Sequence, residues 1–341
     1  MGEDTYLTGA ELHLYHVYLS QVLLALILNT LPDTFSHKEF LLSTDSLEKI
    51  NAMISLTDIK ADPKKYREKS RAYLDSQDPL IAGESLATSD LLTQLSTSDR
   101  LGKNLALYHE FFLGGDGKPW HSGLALIKTA TSFYEYFAKK LFNIEVFSYL
   151  DKHFQSTPSL GNPYRAGLEL NFFLSKPFEP IYEKLTSSKI ISDQDILVLN
   201  GLHINGLKKE VVDLFLATQI LRNNLLLPED LKESLDNLLK NKKSILEISI
   251  GDEVRITLMI DAALRGNSED IIELLSSLYK PELLVSRSFD FLTAIQKMKD
   301  HPKKEHLLEV ANQLVKKIPL DSTGLTELEN ALTLITTSPS E

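Results

Sequence analysis

The stretch DILVLNGLHINGLKKEVVDLFL, residues 195–216, aligns without a gap with RITLMIDAALRGNSEDIIELLS, residues 255–276. The two stretches share apolar residues at helical spacing, and each has a glycine at the same place, Gly206 in the first and Gly266 in the second. Glycine readily adopts the left-handed backbone conformation that ends a helix and turns the chain back. We therefore predict that both stretches are helical hairpins with equivalent glycine C-caps.

The match continues downstream of both stretches, which predicts two repeat units over about 194–250 and 254–310. Hairpins of this kind cannot bury their apolar faces alone and stack on their neighbours, so the predicted architecture is an α-solenoid-like array of helical hairpin repeats. The alternative is chance, because any two amphipathic helices match at several apolar positions. The shared glycine favours a true repeat.

Helical periodicity also dominates the rest of the chain, and no segment alternates between apolar and polar residues over the length of a strand. The run QSTPSLGNP, residues 155–163, contains two prolines, one glycine and two serines, which is typical of a hinge or domain boundary. The predicted fold is therefore all-α, with a helical N-terminal domain over 1–155 and the α-solenoid-like repeat domain over 163–325.

The most apolar run is VLLALIL, residues 22–28, in a helix predicted to begin after Thr8 and to end before Pro32. Thr8 and Glu11 have the spacing of a capping box, which supports that start. Polar residues interrupt the helix on both sides of the run, so it is shorter than the roughly 20 apolar residues that a membrane span requires. We predict a buried helix and no integral membrane segment.

The composition excludes several classes of function. The 341 residues include 36 Lys and Arg against 47 Asp and Glu, which gives a formal net charge of −11. This charge repels phosphate backbones and acidic lipids, so no nucleic-acid partner is expected. The chain has no Cys, which excludes disulfides, thiolate metal sites and Cys nucleophiles.

The run GGDGKPWHSG, residues 114–123, is the first place to look for catalysis. A phosphate-binding loop needs Ser or Thr after its lysine, but here Pro119 follows and has no amide hydrogen. His121 and Ser122 are adjacent, so on a helix their side chains point about 100° apart and cannot act as a base and nucleophile pair. We interpret the run as a turn, with Pro119 in the first turn of the next helix and Trp120 packed at the junction.

Metal ligands and catalytic groups are not indicated elsewhere either. His13 and His16 have a spacing that allows two imidazoles to share a metal, but no third ligand lies nearby. We interpret both as core histidines. The sequence therefore predicts no catalytic residue, no metal site and no cofactor.

The predicted partner-binding residues come from the repeat. If the two hairpins are equivalent, their first helices line one face, with Asn200 and His203 from one unit and Asp261 and Arg265 from the next. In an array of stacked hairpins the polar residues of such a row are free to bind a partner. Asp261 and Arg265 are expected to form an exposed i,i+4 ion pair.

The chain ends TGLTELENALTLITTSPSE, residues 323–341, with Glu327 and Glu329 ahead of a Thr- and Ser-rich polar end. This pattern resembles the C-terminal translocation signal of Dot/Icm type IVB secretion substrates of intracellular bacteria. The resemblance implies that 326–341 is a secretion signal. It also implies a protein that starts in the bacterial cytoplasm and is translocated into the host cytosol.

The sequence as a whole favours a non-enzymatic protein-binding module, namely a secreted bacterial effector or a regulator of one. Its expected partner is a host protein or another bacterial effector. Two alternatives stay open: an enzyme with a site at the interface of the two helical halves, and a structural helical subunit of a larger assembly.

Overall fold

The computed structural model of the chain describes residues 15–57, 78–113, 120–135, 152, 162–187, 189–241, 244–280, 283, 287 and 290. Every regular element within these residues is a helix, which confirms the all-α prediction. The chain forms two compact units. The first comprises Met1–Arg100, Leu113–Gly115 and Ala130–Phe173, and the second comprises Leu101–Phe112, Asp116–Thr129 and Leu174–Glu341. The domain limits proposed from the sequence stay a prediction.

Within the described residues the helices follow one another along the chain in a simple order. They are α1 (His16–Thr30), α2 (Lys38–Leu42), α3 (Thr44–Ser55), α4 (Asp78–Leu95), α5 (Arg100–Leu113), α6 (Gly123–Lys128), α7 (Ala130–Phe133), α8 (Pro163–Ser175), α9 (Phe178–Leu185), α10 (Asp193–Gly201), a 3-10 helix (Leu202–Asn205), α11 (Lys209–Arg222), α12 (Glu229–Lys240), α13 (Ile245–Arg265) and α14 (Ser268–Ser276). They agree with the helical periodicity of the sequence, since the spacing of apolar residues is a local property of the chain.

In the first unit, α8 packs on the C-terminal end of α4. The Asn171 side-chain amide donates to the carbonyls of Leu95 (2.6 Å) and Thr97 (2.7 Å). These bonds satisfy carbonyls at the end of α4, where the helix itself supplies no donor. The small core beside them is formed by Leu91, Leu92, Leu95 and Leu168.

Helix α1 also belongs to the first unit, and the prediction that it is buried is wrong. Only Leu28 of its residues is buried. The Gln21 side chain donates to the Asn51 carbonyl (3.0 Å) and the Ser55 hydroxyl (2.9 Å) of α3. The side of α1 with the polar Gln21 therefore faces the protein, and much of its apolar surface faces solvent.

The second unit is built around α13, which packs against α6, α11, α12 and α14. All residues of α13 from Ser249 to Ala263 are buried, including its charged ones. A single helix, Ile245–Arg265, runs through Gly251. A β-carbon at Gly251 would lie 2.6 Å from a guanidinium nitrogen of Arg255, so the glycine makes room for this buried side chain.

The two glycine turns have the predicted conformation. Gly206 (φ 79°) and Gly266 (φ 71°) both adopt the left-handed region, and both end a helix, a 3-10 helix in the first case and α13 in the second. In each turn the glycine amide donates to the carbonyl three residues back and the next amide donates to the carbonyl five residues back, as in a Schellman motif. The bonds are Gly206 to His203 (3.0 Å), Leu207 to Leu202 (3.3 Å), Gly266 to Ala263 (3.0 Å) and Asn267 to Ala262 (2.8 Å). The prediction of equivalent C-caps is confirmed.

Candidate functional site

Two of the four predicted partner-binding residues are exposed, Asn200 near the end of α10 and His203 in the 3-10 helix that follows. The Asn200 amide nitrogen donates to the Ile196 carbonyl (3.0 Å), and His203 Nδ1 lies 2.7 Å from the Leu207 carbonyl oxygen. These bonds hold both side chains close to the backbone. Each side chain keeps atoms exposed that can contact another molecule.

Two large apolar side chains lie beside them on the exposed side of the same hairpin. Leu197 is 63% exposed and Ile204 is 69% exposed. A β-carbon added at Gly201, between them, would have no heavy atom within 4 Å. We refer to Leu197, Asn200, Gly201, His203 and Ile204 as the hairpin face.

The start of α10 is held in place by a capping box. Ser192 accepts from the Asp195 amide (3.3 Å), and its own amide donates to the Asp195 carboxylate (2.7 Å). Lys184 Nζ lies 2.7 Å from the same carboxylate. The burial of Asp195 raises its pKa, but the bonds from Lys184 and Ser192 outweigh burial and hold the pKa below its usual value. The helix that carries the hairpin face is therefore firmly attached to α9.

The turn at the other end of the hairpin face packs tightly on α5. A β-carbon at Gly102 would lie 3.1 Å from the Gly206 carbonyl oxygen. This contact is closer than most side-chain contacts, so the two backbones approach each other at a position that suits glycine. The Gly206 turn that follows the hairpin face is therefore held against α5.

The other two predicted partner-binding residues differ in exposure, because Asp261 is buried whereas Arg265 is exposed. Their i,i+4 ion pair is confirmed, with Arg265 Nε 2.7 Å from an Asp261 oxygen, but its predicted exposure is wrong because Asp261 is only 1% exposed. The Leu227 amide donates to Asp261 (3.0 Å), and Arg265 donates to the Leu227 carbonyl (2.8 Å). The pair therefore clamps the loop before α12. Their role in partner binding stays a prediction.

The different environments of the two hairpins have a physical cause. The first helix of the first hairpin, α10, has an exposed side, whereas the corresponding part of α13 is covered by α11, α12 and α14. A position that faces solvent in one hairpin is therefore enclosed in the other. The amphipathic pattern that the hairpins share does not report this difference.

Trp120 packs between α5 and α6, as the sequence predicted. The Trp120 ring stacks on Phe111 with centroids 5.3 Å apart and an interplanar angle of 13°. Ser122 accepts from the Ala125 amide (3.3 Å) and is the N-cap of α6, so this helix begins at Gly123 and not at 119. Residues 114–119 lie outside the described part of the chain.

A group of buried polar side chains lies beside Ser122, and no pattern in the sequence predicted it. Glu253 is 0% exposed, and neither of its carboxylate oxygens has a hydrogen-bond partner among the described residues. Burial raises the pKa of Glu253 to about 8, and the Ser122 hydroxyl beside it acts in the opposite direction. Burial and the Glu253 charge also raise the pKa of the Tyr182 phenol. The Glu253 carboxyl is therefore mainly neutral at pH 7.

Arg287 is the cation of this buried group. Its guanidinium donates to the hydroxyls of Thr257 (2.8 Å) and Thr218 (3.3 Å) and lies 3.4 Å from an Asp290 oxygen. Asp290 in turn receives two bonds of 2.8 Å from Arg222. Burial lowers the pKa of Arg287, while Asp290 acts to raise it. The group ties α11 and α13 to the chain around residue 290.

A second buried ionic group lies nearer the start of α13. Arg255 pairs with Glu247 and with Asp252. Asp252 also accepts from the amides of Tyr279 (3.1 Å) and Lys280 (2.7 Å), which holds the chain after α14. The signal in the sequence was the charged run within 251–255 of an otherwise apolar stretch.

The chemistry available in the described part of the second unit is limited. A Ser hydroxyl, a Tyr phenol and a mainly neutral carboxyl share one buried group, without an exposed path for a substrate to Glu253. No three His, Cys, Asp or Glu residues of the described part are placed to hold a metal ion.

His16 is exposed, which contradicts its interpretation as a core histidine, and His13 lies outside the described residues.

Comparison of the chain with protein-family models, with curated proteins and with solved structures gave no match. No helix in the described ranges is long and apolar enough to cross a membrane. Among the described residues, the exposed hairpin face is the candidate site for binding another molecule.

Proposed function

We propose that the protein is a non-enzymatic protein-binding module that binds its partner through the hairpin face. The observation that carries this proposal is the exposure of Leu197 and Ile204, at 63% and 69%, on either side of Asn200 and Gly201. Large apolar side chains flanked by polar groups are typical of protein–protein contact sites. The capping box at Ser192 and the ion pair of Asp195 with Lys184 fix the start of α10, so less order is lost on binding.

The partner of this face has a definable chemistry. The five residues of the hairpin face include no carboxylate, ammonium or guanidinium group. The matching surface is therefore apolar at its centre, with a donor for the Asn200 side-chain oxygen, and without charges that binding would leave unpaired. An amphipathic helix or an apolar loop of another protein meets these requirements.

The α-solenoid-like array is part of the same proposal. The matching Schellman turns at Gly206 and Gly266 support two related hairpins, each followed by further helix. Within such an array the exposed hairpin supplies the binding surface, and the enclosed hairpin supplies the core. Residues 291–310 of the second unit lie outside the described residues.

The binding test compares three variants of the full chain. Leu197→Asp and Ile204→Asp place a carboxylate in the centre of the hairpin face, and Leu225→Asp, at a residue that is 60% exposed elsewhere, is the matched control. We expect a partner isolated with the wild-type chain to bind the first two variants at least about tenfold more weakly, because the carboxylate would be desolvated without a counter-charge. Equal binding to all three variants would contradict the proposal.

We further propose that the protein is a bacterial effector, on the basis of its Glu-containing, Thr- and Ser-rich tail, 326–341, which lies outside the described residues. Deletion of the tail is expected to abolish translocation through a type IVB apparatus into host cells. The circular dichroism of the body should stay helical. Undiminished translocation of the truncated chain would remove this part of the proposal.

An enzyme is the second candidate, and Glu253 is the observation that favours it. A carboxyl group with a pKa of about 8 beside the Ser122 hydroxyl is mainly protonated at pH 7 and has the properties of a general acid. Complete burial counts against it, since Glu253 is 0% exposed in the described part of the chain. Screening a metabolite mixture with the wild-type chain and with Glu253→Gln separates the two functions: only an enzyme that uses Glu253 consumes a compound that the variant leaves intact.

A further inference from the structure

Helix α1 exposes a continuous apolar surface. Tyr18, Leu19, Val22, Leu23, Leu26 and Ile27 are between 36% and 64% exposed, and we refer to these six residues as the α1 outer face. Their spacing follows the helical repeat, so they lie on one side of α1. No charged residue occurs anywhere in α1.

The opposite side of α1 holds the helix in a fixed orientation. Gln21 is bonded to α3, and Leu28 is buried. Val17 and Leu24 are half-buried on the same side. The apolar surface therefore cannot turn inward without breaking the bonds of Gln21, and it is held towards solvent.

The chemistry of the α1 outer face restricts what can cover it. A membrane surface is a poor match, because helices that lie on membranes have Lys or Arg beside their apolar face and α1 has neither. A charged protein surface is also a poor match, since its charges would be desolvated without a counter-charge. The occupant must itself be apolar and uncharged.

A second copy of α1 meets these conditions. Leu19, Val22 and Leu26 are spaced by three and four residues, which is the spacing of the contact seam in packed helix pairs. Related by a two-fold axis, two such seams are complementary to each other. Taking roughly 200 Å² for each fully exposed side chain, the outer face offers on the order of 600 Å² per copy, near the ~800 Å² per partner of a standard interface.

We propose that the α1 outer face packs against the same face of a second copy of the chain and forms a two-fold symmetric dimer. This interface lies in the first unit, whereas the hairpin face lies in the second. The dimer is therefore independent of the proposed function, and either proposal can fail alone.

The mass of the full chain in solution tests the dimer. Sedimentation velocity over a range of concentrations is expected to give twice the chain mass for the wild type and the chain mass for the double variant Leu23→Glu/Leu26→Glu. The double variant should weaken association by at least about a hundredfold, because two carboxylates would be desolvated at the interface. Leu225→Glu, at an equally exposed leucine, should dimerise like the wild type.

The absence of Cys from the chain permits a direct test of the contact. Leu19→Cys, Val22→Cys and Leu26→Cys each introduce the only thiol, and a two-fold seam brings at least one of these positions close to its copy. Mild oxidation should therefore convert that variant to a covalent dimer faster than Leu225→Cys. A wild-type chain that stays monomeric, a dimer that survives Leu23→Glu/Leu26→Glu, or equal cross-linking at all four positions would overturn the proposal. Flotation of a monomeric wild type with neutral phosphatidylcholine vesicles would assign the face to lipid instead.

Discussion

At the scale of single residues, the buried charged groups of the second unit hold different segments of the chain together. Asp261 holds the Leu227 backbone, and Arg287 connects two threonines with Asp290. Glu253 differs from these groups, since its oxygens have no hydrogen-bond partner among the described residues. Folding at neutral pH requires the Glu253 carboxyl to take up a proton, which lowers stability, so a neutral side chain of the same shape should raise it.

Glu253→Gln is expected to raise the melting temperature at pH 7 to 8 and to reduce the dependence of stability on pH. The folded-state pKa of about 8 lies above the model value of 4.5, so between these values the folded chain holds a proton that the unfolded chain has lost. The free energy of unfolding therefore falls as pH rises through this window and levels off above it. Chemical denaturation at pH 5, 7 and 9 measures the slope, and an unchanged slope in Glu253→Gln would contradict the assignment.

Asp261→Lys combined with Arg265→Asp should destabilise the fold, whereas the exposed ion pair that the sequence predicted would tolerate charge reversal. The reversed pair leaves the Leu227 amide without its acceptor and puts a lysine where the carboxylate is buried. The expected loss is several kcal/mol of unfolding free energy, as for broken buried pairs. Reversal of the half-exposed pair of Lys49 and Asp45 is the control and should cost less than about 1 kcal/mol. Similar melting of both variants would show that Asp261 is not structural.

At the scale of the helices, the burial of α1 and of α13 is the opposite of what their compositions suggest. Helix α1 has no charged residue and is mostly exposed, whereas α13 has Glu, Asp and Arg and is mostly buried. The charges of α13 are accepted in the core because nearly all of them have ion-pair or backbone partners there. The apolar side chains of the α1 outer face are not covered by other described residues, and the proposed dimer would bury them.

The left-handed turns at Gly206 and Gly266 can be tested by measuring the stability of glycine variants. Gly206→Ala and Gly266→Ala should each destabilise the protein by about 1 kcal/mol or more, because a β-carbon is strained in the left-handed region. Gly201→Ala is the matched control. It is helical with open space around it and should stabilise by roughly 0.5–1 kcal/mol. Urea unfolding gives all three values, and destabilisation by Gly201→Ala as well would mean that the sign does not depend on the turn conformation.

At the scale of the whole molecule, the net charge of −11 opposes association while the uncharged α1 outer face favours it. Salt screens the repulsion between two chains of the same sign and strengthens contacts between apolar surfaces. The balance between these two terms sets the concentration at which the proposed dimer forms.

The dimer dissociation constant is therefore expected to fall as the salt concentration rises from low values to about 0.5 M. An interface made of ion pairs would show the opposite slope. Sedimentation equilibrium in a NaCl series measures the constant, and Leu225→Glu should follow the wild type with a slightly steeper slope because it adds one negative charge per copy. Weakening by salt would exclude an apolar contact.

The amino-acid sequence by itself determined the features that depend on neighbouring residues. The spacing of apolar residues predicted an all-α chain, since a helix is formed by contacts three and four residues apart. The left-handed turns at Gly206 and Gly266 followed from the conformational freedom of glycine. The packing of Trp120 followed from its size and apolar character.

Only the tertiary structure decided which helices are central and which are exposed. The Ser249 hydroxyl donates to the Leu105 carbonyl across 144 residues of sequence, and contacts of this kind enclose α13. The same enclosure buries Asp261 and Glu253, while the hairpin face at Leu197 stays open. Amphipathic periodicity reports that a helix has a side to bury, but burial depends on what other segments supply to cover it, and that information is distributed over the whole chain.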